Sequence, residues 1–432
     1  MKHNILKLYY LIIPFLILGL SVGYISFGLS MVALIPLLLM TTRHTVGFFL
    51  VMYGGPLGGV TRALYPILPI YGIFLEFLGF ILLWDIILDL LKKHSRHLVA
   101  MLVVLSLFGI FYMLGPMDDF SSNKYLTMIS HGILMVAGYF AFDRSSKIDA
   151  EGLTRILIVA SICMYAFCIS YYKLTPGNFF DYNWFRVQSL AHFYSTKGEH
   201  MLVGYQHIGM LLAFAVAIIL SKTDIKFTNA LYYIICASQL VLVSGCRQAI
   251  FAVAIIIGLR YAIFRSKNVS KKISFDRIVG ISIALITAFL FIFLLLENVG
   301  STVIEDTISE GDSDRNMLFI EALSIFKNNM MLGAGIGGYN AITGEGWPHN
   351  LFLELLCETG LIGTIVFLFI VIVTLYRKHI HLLYITCSDM FYFLVLLTMF
   401  VRVMVSSDLG ESIEVFSAVF AVGASRKIRS YC

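Results

Sequence analysis

Apolar blocks of roughly 17–25 residues recur along almost the whole chain, and that length matches what a helix needs to cross about 30 Å of hydrocarbon. Lipid offers no partner to open backbone groups, so each block is expected to be a helix. Spans are read near residues 6–22, 24–40, 45–60, 68–91, 98–115, 125–142, 153–172, 204–221, 228–244, 248–264, 276–296, 350–376, 388–405 and 412–425, roughly 14 in all. The first resembles a signal peptide in length, but no small-residue cleavage site follows it and the next block begins at once, so it counts as a span. The chain is therefore read as an all-α polytopic membrane protein, a single integral membrane domain over 1–432. Only 13% of its residues are charged against 59% hydrophobic, which excludes an ordinary soluble domain.

The charges set an orientation. Basic residues gather in alternate loops: Arg43; Lys92, Lys93 and Arg96; Arg144, Lys147 and Arg155; Lys222 and Lys226; Arg265 to Arg277; Arg377 and Lys378; Arg426, Lys427 and Arg429. With these loops and both termini in the cytoplasm, about 22 of the 31 Lys and Arg lie inside and about 9 outside. A net charge of +5 distributed this way is a membrane signal and gives no reason to expect nucleic acid as a partner. The seven cysteines fall mostly inside apolar blocks without metal-binding spacing, so neither a disulfide framework nor a zinc site is expected.

Two extracytoplasmic segments are long enough to hold a site: the loop 173–203 and the large loop or lid 297–349, between spans 11 and 12. The second opens on Glu305, Asp306, Glu310, Asp312 and Asp314 and then turns amphipathic, with Met317, Ile320, Leu323 and Ile325 spaced along one side of a short helix. Among the outer cations, Arg247 lies in the hinge Ser244-Gly245-Cys246-Arg247-Gln248 between two apolar blocks. An arginine near lipid calls for an anionic partner, although a snorkelling arginine that only marks the interface has the same signature. Arg186 and Arg315 have weaker claims and read equally well as surface charges.

The strongest local signal runs from Trp347-Pro348-His349-Asn350 through Glu354 and Glu358 to Gly360 and Gly363. Proline is expected to open the helix. Asn350, Glu354 and Glu358 recur every four residues, a polar stripe on an apolar span, and such carboxylates must face protein, water or a partner. His349 stands at the positive end of that helix, which favours the neutral imidazole a general base requires; a capping or surface histidine is the plainer alternative. Gly333-Ala334-Gly335-Ile336-Gly337-Gly338 satisfies GxGxxG but follows a helix rather than a strand, so a tight turn is read and no dinucleotide. Asp312-Ser313-Asp314 resembles the metal-holding DxD, a triplet that arises easily in an acidic loop, and no metal is assigned.

Taken in order, Ser244-Gly245-Cys246-Arg247-Gln248-Ala249, Asp314-Arg315, the glycine run and His349-Asn350 with Glu354, Glu358, Gly360 and Gly363 resemble the signature region of the O-antigen ligases and polymerases. Gln248 departs from the small residue usual in the hinge, and the stretch from Arg186 to His207 is only loosely similar. The resemblance implies a cofactor-free, metal-independent, inverting glycosyltransferase with a GT-C-like architecture in the bacterial inner membrane. Its active site would face the periplasm, with undecaprenyl-diphosphate-linked glycans as donor and acceptor. His349 would then be the catalytic base, Arg247, Arg315 and Arg186 would bind the diphosphate, and Asn350, Glu354 and Glu358 would support the site. Guanidinium groups suit that task because they pair phosphates bidentately.

A polymerase, which extends one lipid-linked repeat with another, is preferred to a ligase that moves the glycan to lipid A core. A chain-length regulator is a further candidate partner besides the membrane lipids. A transporter would place its site near the midplane on broken helices of two related halves, whereas these candidates gather at one face and the chain shows no internal repeat. A scaffold without chemistry would leave the Glu354 and Glu358 stripe unexplained.

Overall fold

The computed structural model describes residues 24–63, 72–93, 95–143, 148–171, 205–221, 227–263 and 312–377, together with 394, 398–403 and 409. The spans read at 6–22, 276–296 and 412–425, most of 388–405, the loop 173–203 with Arg186, and the first part of the lid lie outside the described residues. All regular elements among the described residues are helices: α1 (Tyr24–Met40), α2 (Arg43–Ala63), α3 (Gly72–Leu82), α4 (Trp84–Lys93), α5 (Ser95–Met113), α6 (Asp119–Asp143), α7 (Ala150–Tyr171), α8 (Tyr205–Ser221), α9 (Phe227–Ser244), α10 (Arg247–Ile263), α11 (Asp312–Asn328), α12 (Gly338–Thr343) and α13 (Leu351–Arg377).

Two of these helices are long and apolar enough to cross a bilayer by length and composition, at Ala150–Ile169 and Leu351–Val373; shorter apolar stretches lie in α5, α8, α9 and α10. They differ in placement. Nearly every residue of α7 is buried, because its sides serve two packing clusters at once: Leu153, Ile156 and Leu157 face one, Ile158, Ile162 and Tyr165 the other. An apolar sequence all round a helix suits such a central position. Its ordering against α9 is specific as well, since the Tyr165 hydroxyl donates to the Leu240 carbonyl at 2.8 Å. Lipid tails are as apolar as leucine, so in a bilayer close fit of this kind acts through dispersion and such polar links.

The block read as one span near 68–91 is two helices. Leu83 N–H is shared between the carbonyls of Gly79 and Phe80 at 3.1 and 3.2 Å, a local tightening, and α4 then carries its own polar side. Asp85 on that side pairs with Arg43 at 3.3 Å and with His44 Nε2 at 3.0 Å, at the start of α2. A short helix with charges on one side and Trp84 and Leu91 exposed suits an interface better than a bilayer core.

α5, α6 and α13 build the part of the bundle that holds the site. Phe108 stacks on Phe367 with ring centroids 3.9 Å apart, fixing α5 to α13. Tyr112 and Tyr125 stack at 5.0 Å, Tyr112 shares a 2.9 Å hydrogen bond with Ser122, and the Tyr125 hydroxyl donates to the Leu105 carbonyl at 3.0 Å, so α5 and α6 are tied along their length. The lid helix α11 lies on α13. Leu318, Ala322 and Ile325 meet Tyr339, Leu353 and Cys357 in a small apolar cluster of their own. Ile325 therefore points inward while Met317, Ile320 and Leu323 are exposed, so these four do not share one side as the sequence suggested; the inner side is the one that recurs at 318, 322 and 325.

Candidate functional site

Helix α13 starts from a side-chain cap. Asn350 Oδ1 accepts the N–H groups of Phe352 and Leu353 at 3.0 and 3.2 Å, which satisfies two donors that the first turn leaves open. Pro348, expected to open the helix, instead lies two residues before this cap, because the amide oxygen of Asn350 supplies the stronger start. Asn350 is thus the cap of the stripe and not a member of its helical face. Between Pro348 and Asn350, His349 adopts φ 54°, the left-handed region, which costs a residue with a Cβ about 1–2 kcal/mol. Strain of this kind persists only where surrounding contacts impose it.

One such contact is Trp347. Its indole N–H donates to His349 Nδ1 at 3.0 Å, and the two rings meet edge to face at 5.5 Å. An indole can only donate, so Nδ1 carries the lone pair and the neutral imidazole carries its proton on Nε2. The chemistry open to His349 follows: a hydrogen-bond donor at Nε2, and a base at Nδ1 once the indole gives way.

Deeper in α13 the helix is broken. Gly360 has φ 64° and ψ −167°, which frees backbone groups on both sides of it. The glycine turn supplies all four partners. Ala334 N–H donates to the Cys357 carbonyl at 2.8 Å and Gly335 N–H to that of Glu358 at 2.9 Å; Leu361 and Ile362 N–H donate to the carbonyls of Met330 and Met331 at 2.8 and 3.1 Å. Irregular backbone in an apolar span needs protein or water to satisfy it, and here protein does so. The approach leaves no room for side chains. A Cβ on Gly333 would stand 2.4 Å from the Glu358 carbonyl carbon, and one on Gly360 would stand 2.5 Å from Gly333 N. The run that reads as GxGxxG is thus the complement of a helix break, and Ile336 N–H extends the same seam to the Phe111 carbonyl of α5 at 3.1 Å.

Beside this seam the carboxylate stripe meets its cation. Lys124, in the second turn of α6, places Nζ 2.5 Å from Glu354 Oε1 and 2.9 Å from both oxygens of Glu358. Gly337 N–H adds a bond to Glu358 Oε1 at 3.0 Å. The lysine side chain is 2% exposed and both glutamates 0%. Opposed charges so deeply buried hold each other in place, and removal of the lysine leaves two buried carboxylates without their cation. Their chemistry is positional: the ammonium lies between the two carboxylates and ties α6 to α13. The start of α6 is capped by Asp118, whose Oδ1 accepts Ser121 N–H at 2.7 Å; that bond holds its carboxyl below the usual range. On the lid, burial pushes the Tyr339 phenol up, so it remains a donor, facing Glu321 Oε2 and the Leu318 carbonyl at 3.4 Å.

Arg247 is the first residue of α10, just after Gly245 (φ 62°), and its side chain is exposed while Gln248 beside it is buried. Arg315 lies in the first turn of α11 with its side chain outside the described residues, and Arg186 lies outside them altogether. The structure therefore brings Glu354 and Glu358 to Lys124, and His349 to Trp347, with Arg247 at the head of a separate helix. Lys124 and Trp347 were not singled out from sequence. For Lys124 a signal was available, since two carboxylates in one apolar span demand a cation and few fall in the loops expected to be extracytoplasmic. A second ionisable pair, Glu76 of α3 and His131 of α6 at 3.7 Å, was also missed.

Residues 232–368 match the family model described as O-Antigen ligase, a stretch running from α9 through the Arg247 hinge and the lid into α13. No curated protein and no solved structure matches the chain. The match supports the resemblance to O-antigen ligases and polymerases and is equally consistent with either reaction.

Proposed function

We propose that the chain is a lipid-linked glycan transferase of the bacterial inner membrane, and that it acts as a polymerase. The observation that carries the transferase reading, common to polymerase and ligase, is the mouth of α13: a strained histidine, tethered by an indole and set on a helix start, inside the stretch that matches the O-antigen ligase model. In the reaction, an acceptor hydroxyl on one undecaprenyl-diphosphate-linked repeat attacks the anomeric carbon of the donor glycan. The new C–O bond forms with inversion as the bond to diphosphate breaks, the hydroxyl proton passes to His349 Nδ1, and undecaprenyl diphosphate departs. The acceptor hydroxyl replaces Trp347 at Nδ1, so the indole covers the basic nitrogen until the acceptor arrives. Arg247, Arg315 and Arg186 hold the diphosphate and stabilise the charge it gains, with no metal and no cofactor.

Glu354 and Glu358 act through Lys124 and the glycine turn, keeping the outer half of α13 and hence His349 in position. The wider arrangement we propose has about 14 spans in a GT-C-like fold, cytoplasmic termini and a periplasmic site. Incubating purified protein with a lipid-linked repeat unit alone, and resolving products by size, tests the reading. A ladder of longer lipid-linked glycans is expected, with His349→Ala lowering its rate by about 10²–10⁴-fold, the span of general-base contributions. A ladder appearing only when lipid A core is added assigns the ligase reaction instead, and an undiminished ladder from His349→Ala removes the base.

A further inference from the structure

The lid leaves an apolar surface uncovered at a depth that can be located. Met330, Met331 and Leu332 are three consecutive exposed apolar residues in the glycine turn, and Met317, Ile320 and Leu323 extend the exposed surface along α11. The turn is not held above the bundle. The bonds from Leu361 N–H to the Met330 carbonyl and from Ile362 N–H to the Met331 carbonyl set it level with Ile362. Ile362 is itself exposed and begins the outward stripe of α13 that continues through Ile365, Phe369 and Ile372. On the spanning reading such a stripe of isoleucine and phenylalanine is the side turned to acyl chains, and Met330 to Leu332 continue it.

The depth follows from helix geometry. Gly360 is the only non-helical residue within α13, so from Ile362 to Arg377 the helix is unbroken and rises about 22 Å. Arg377 and the following Lys378 mark one edge of the hydrocarbon. With a core of about 30 Å, Ile362 and the turn beside it lie roughly 8 Å inside the opposite edge. That is the depth at which in-plane amphipathic segments bury their apolar side. Lys327, exposed at the end of α11, has a stem long enough to return its ammonium to the headgroups.

We propose that the lid is re-entrant: the segment from Met317 to Leu332 dips into the leaflet opposite Arg377 and seats its apolar side among phospholipid acyl chains. The inference rests on the reading of the chain as bilayer-spanning, and the test separates the two. Single cysteines at Met331, Leu332, Ile365 and Glu345, in full-length protein whose seven native cysteines are replaced by serine or alanine, are spin-labelled in phosphatidylcholine and phosphatidylglycerol vesicles. Their collision rates with molecular oxygen and with a water-soluble nickel chelate are then compared. Oxygen-dominated relaxation is expected at Met331, Leu332 and Ile365, and nickel-dominated relaxation at Glu345. Nickel accessibility at Met331 and Leu332 with Ile365 still in lipid overturns the re-entrant lid alone; nickel accessibility at Ile365 as well overturns the spanning reading. Protection of Met331 from both reagents assigns the surface to a second copy of the chain and also overturns the proposal. Should the cysteine-free protein not fold, benzoylphenylalanine at Met331, Ile365 and Glu345 in the otherwise native chain gives the same decision: crosslinking to phospholipid at Met331 and Ile365 but not at Glu345 is expected, at Ile365 alone overturns the re-entrant lid, and at none of them overturns the spanning reading.

Discussion

The two halves of α13, which meet at the break at Gly360, share one apolar composition, yet they are stabilised by different means. From Leu351 to Thr359 no residue is exposed; the segment is capped by Asn350, pinned through Glu354 and Glu358 to Lys124, and bonded at its inner end to the glycine turn. From Leu361 onward an exposed apolar residue recurs every third or fourth position, and beyond the two bonds from Leu361 and Ile362 to the turn the segment is held by its own backbone bonds and by apolar contacts such as those of Phe367 with Phe108 and Phe111. The outer half is over-determined by directional contacts, whereas the inner half is free to exchange one apolar neighbour for another. A site that must hold a histidine in the left-handed region has use for the first kind of helix and not the second.

Substitutions that attack the outer half should therefore cost far more than those in the inner half. Lys124→Met leaves two buried carboxylates without their cation and is expected to lower stability by about 3–5 kcal/mol, read as a loss of folded protein in detergent thermal unfolding. An unchanged midpoint would mean the triad is not what fixes α13. Gly333→Ala forces a Cβ against the Glu358 backbone at a positive φ; the conformation alone costs about 1–3 kcal/mol, and the same assay should rank it next. Glu354→Gln keeps one donor–acceptor contact to Lys124 and leaves Glu358 in place, so a loss of about 1–3 kcal/mol is expected. Asn350→Ala removes only the cap, about 1 kcal/mol, with protection of the Phe352 and Leu353 amides from hydrogen exchange falling first. Ile365→Leu on the exposed side should change stability by less than about 0.5 kcal/mol. A larger effect there than at Asn350 would abolish the distinction between the halves.

What could be read from sequence follows the same division. Periodicity and block length located α1, α2 and α5 to α10, because an apolar helix is written in a continuous stretch of chain. The carboxylate stripe was legible for a related reason: Glu354 and Glu358 are one helical turn apart, and a charge in an apolar run stands out. Its partner was not, since Lys124 lies 230 positions away and sits at the end of a block where a lysine ordinarily marks an interface. The glycine run could be recognised as a turn, but its task could not, since the break at Gly360 is a matter of backbone angles and Gly363, nearby, has the same sequence appearance without breaking the helix. The tether from Trp347 depends on side-chain placement and on the left-handed backbone of His349 itself. The split at Leu83 was hidden because its apolar residues continue straight across it.

The four backbone bonds between 330–335 and 357–362 also dictate where the chain can change length. A single residue inserted between Met330 and Gly337, or between Glu354 and Ile362, would shift every donor past its acceptor. Between them, Ala341, Ile342, Gly344 and Glu345 project into open surroundings, and a Cβ on Gly344 or Gly346 would meet nothing within 4 Å. This outer arc is where an epitope tag or a few extra residues can be accommodated without disturbing the seam, a handle for purification on the side of the molecule opposite Arg377.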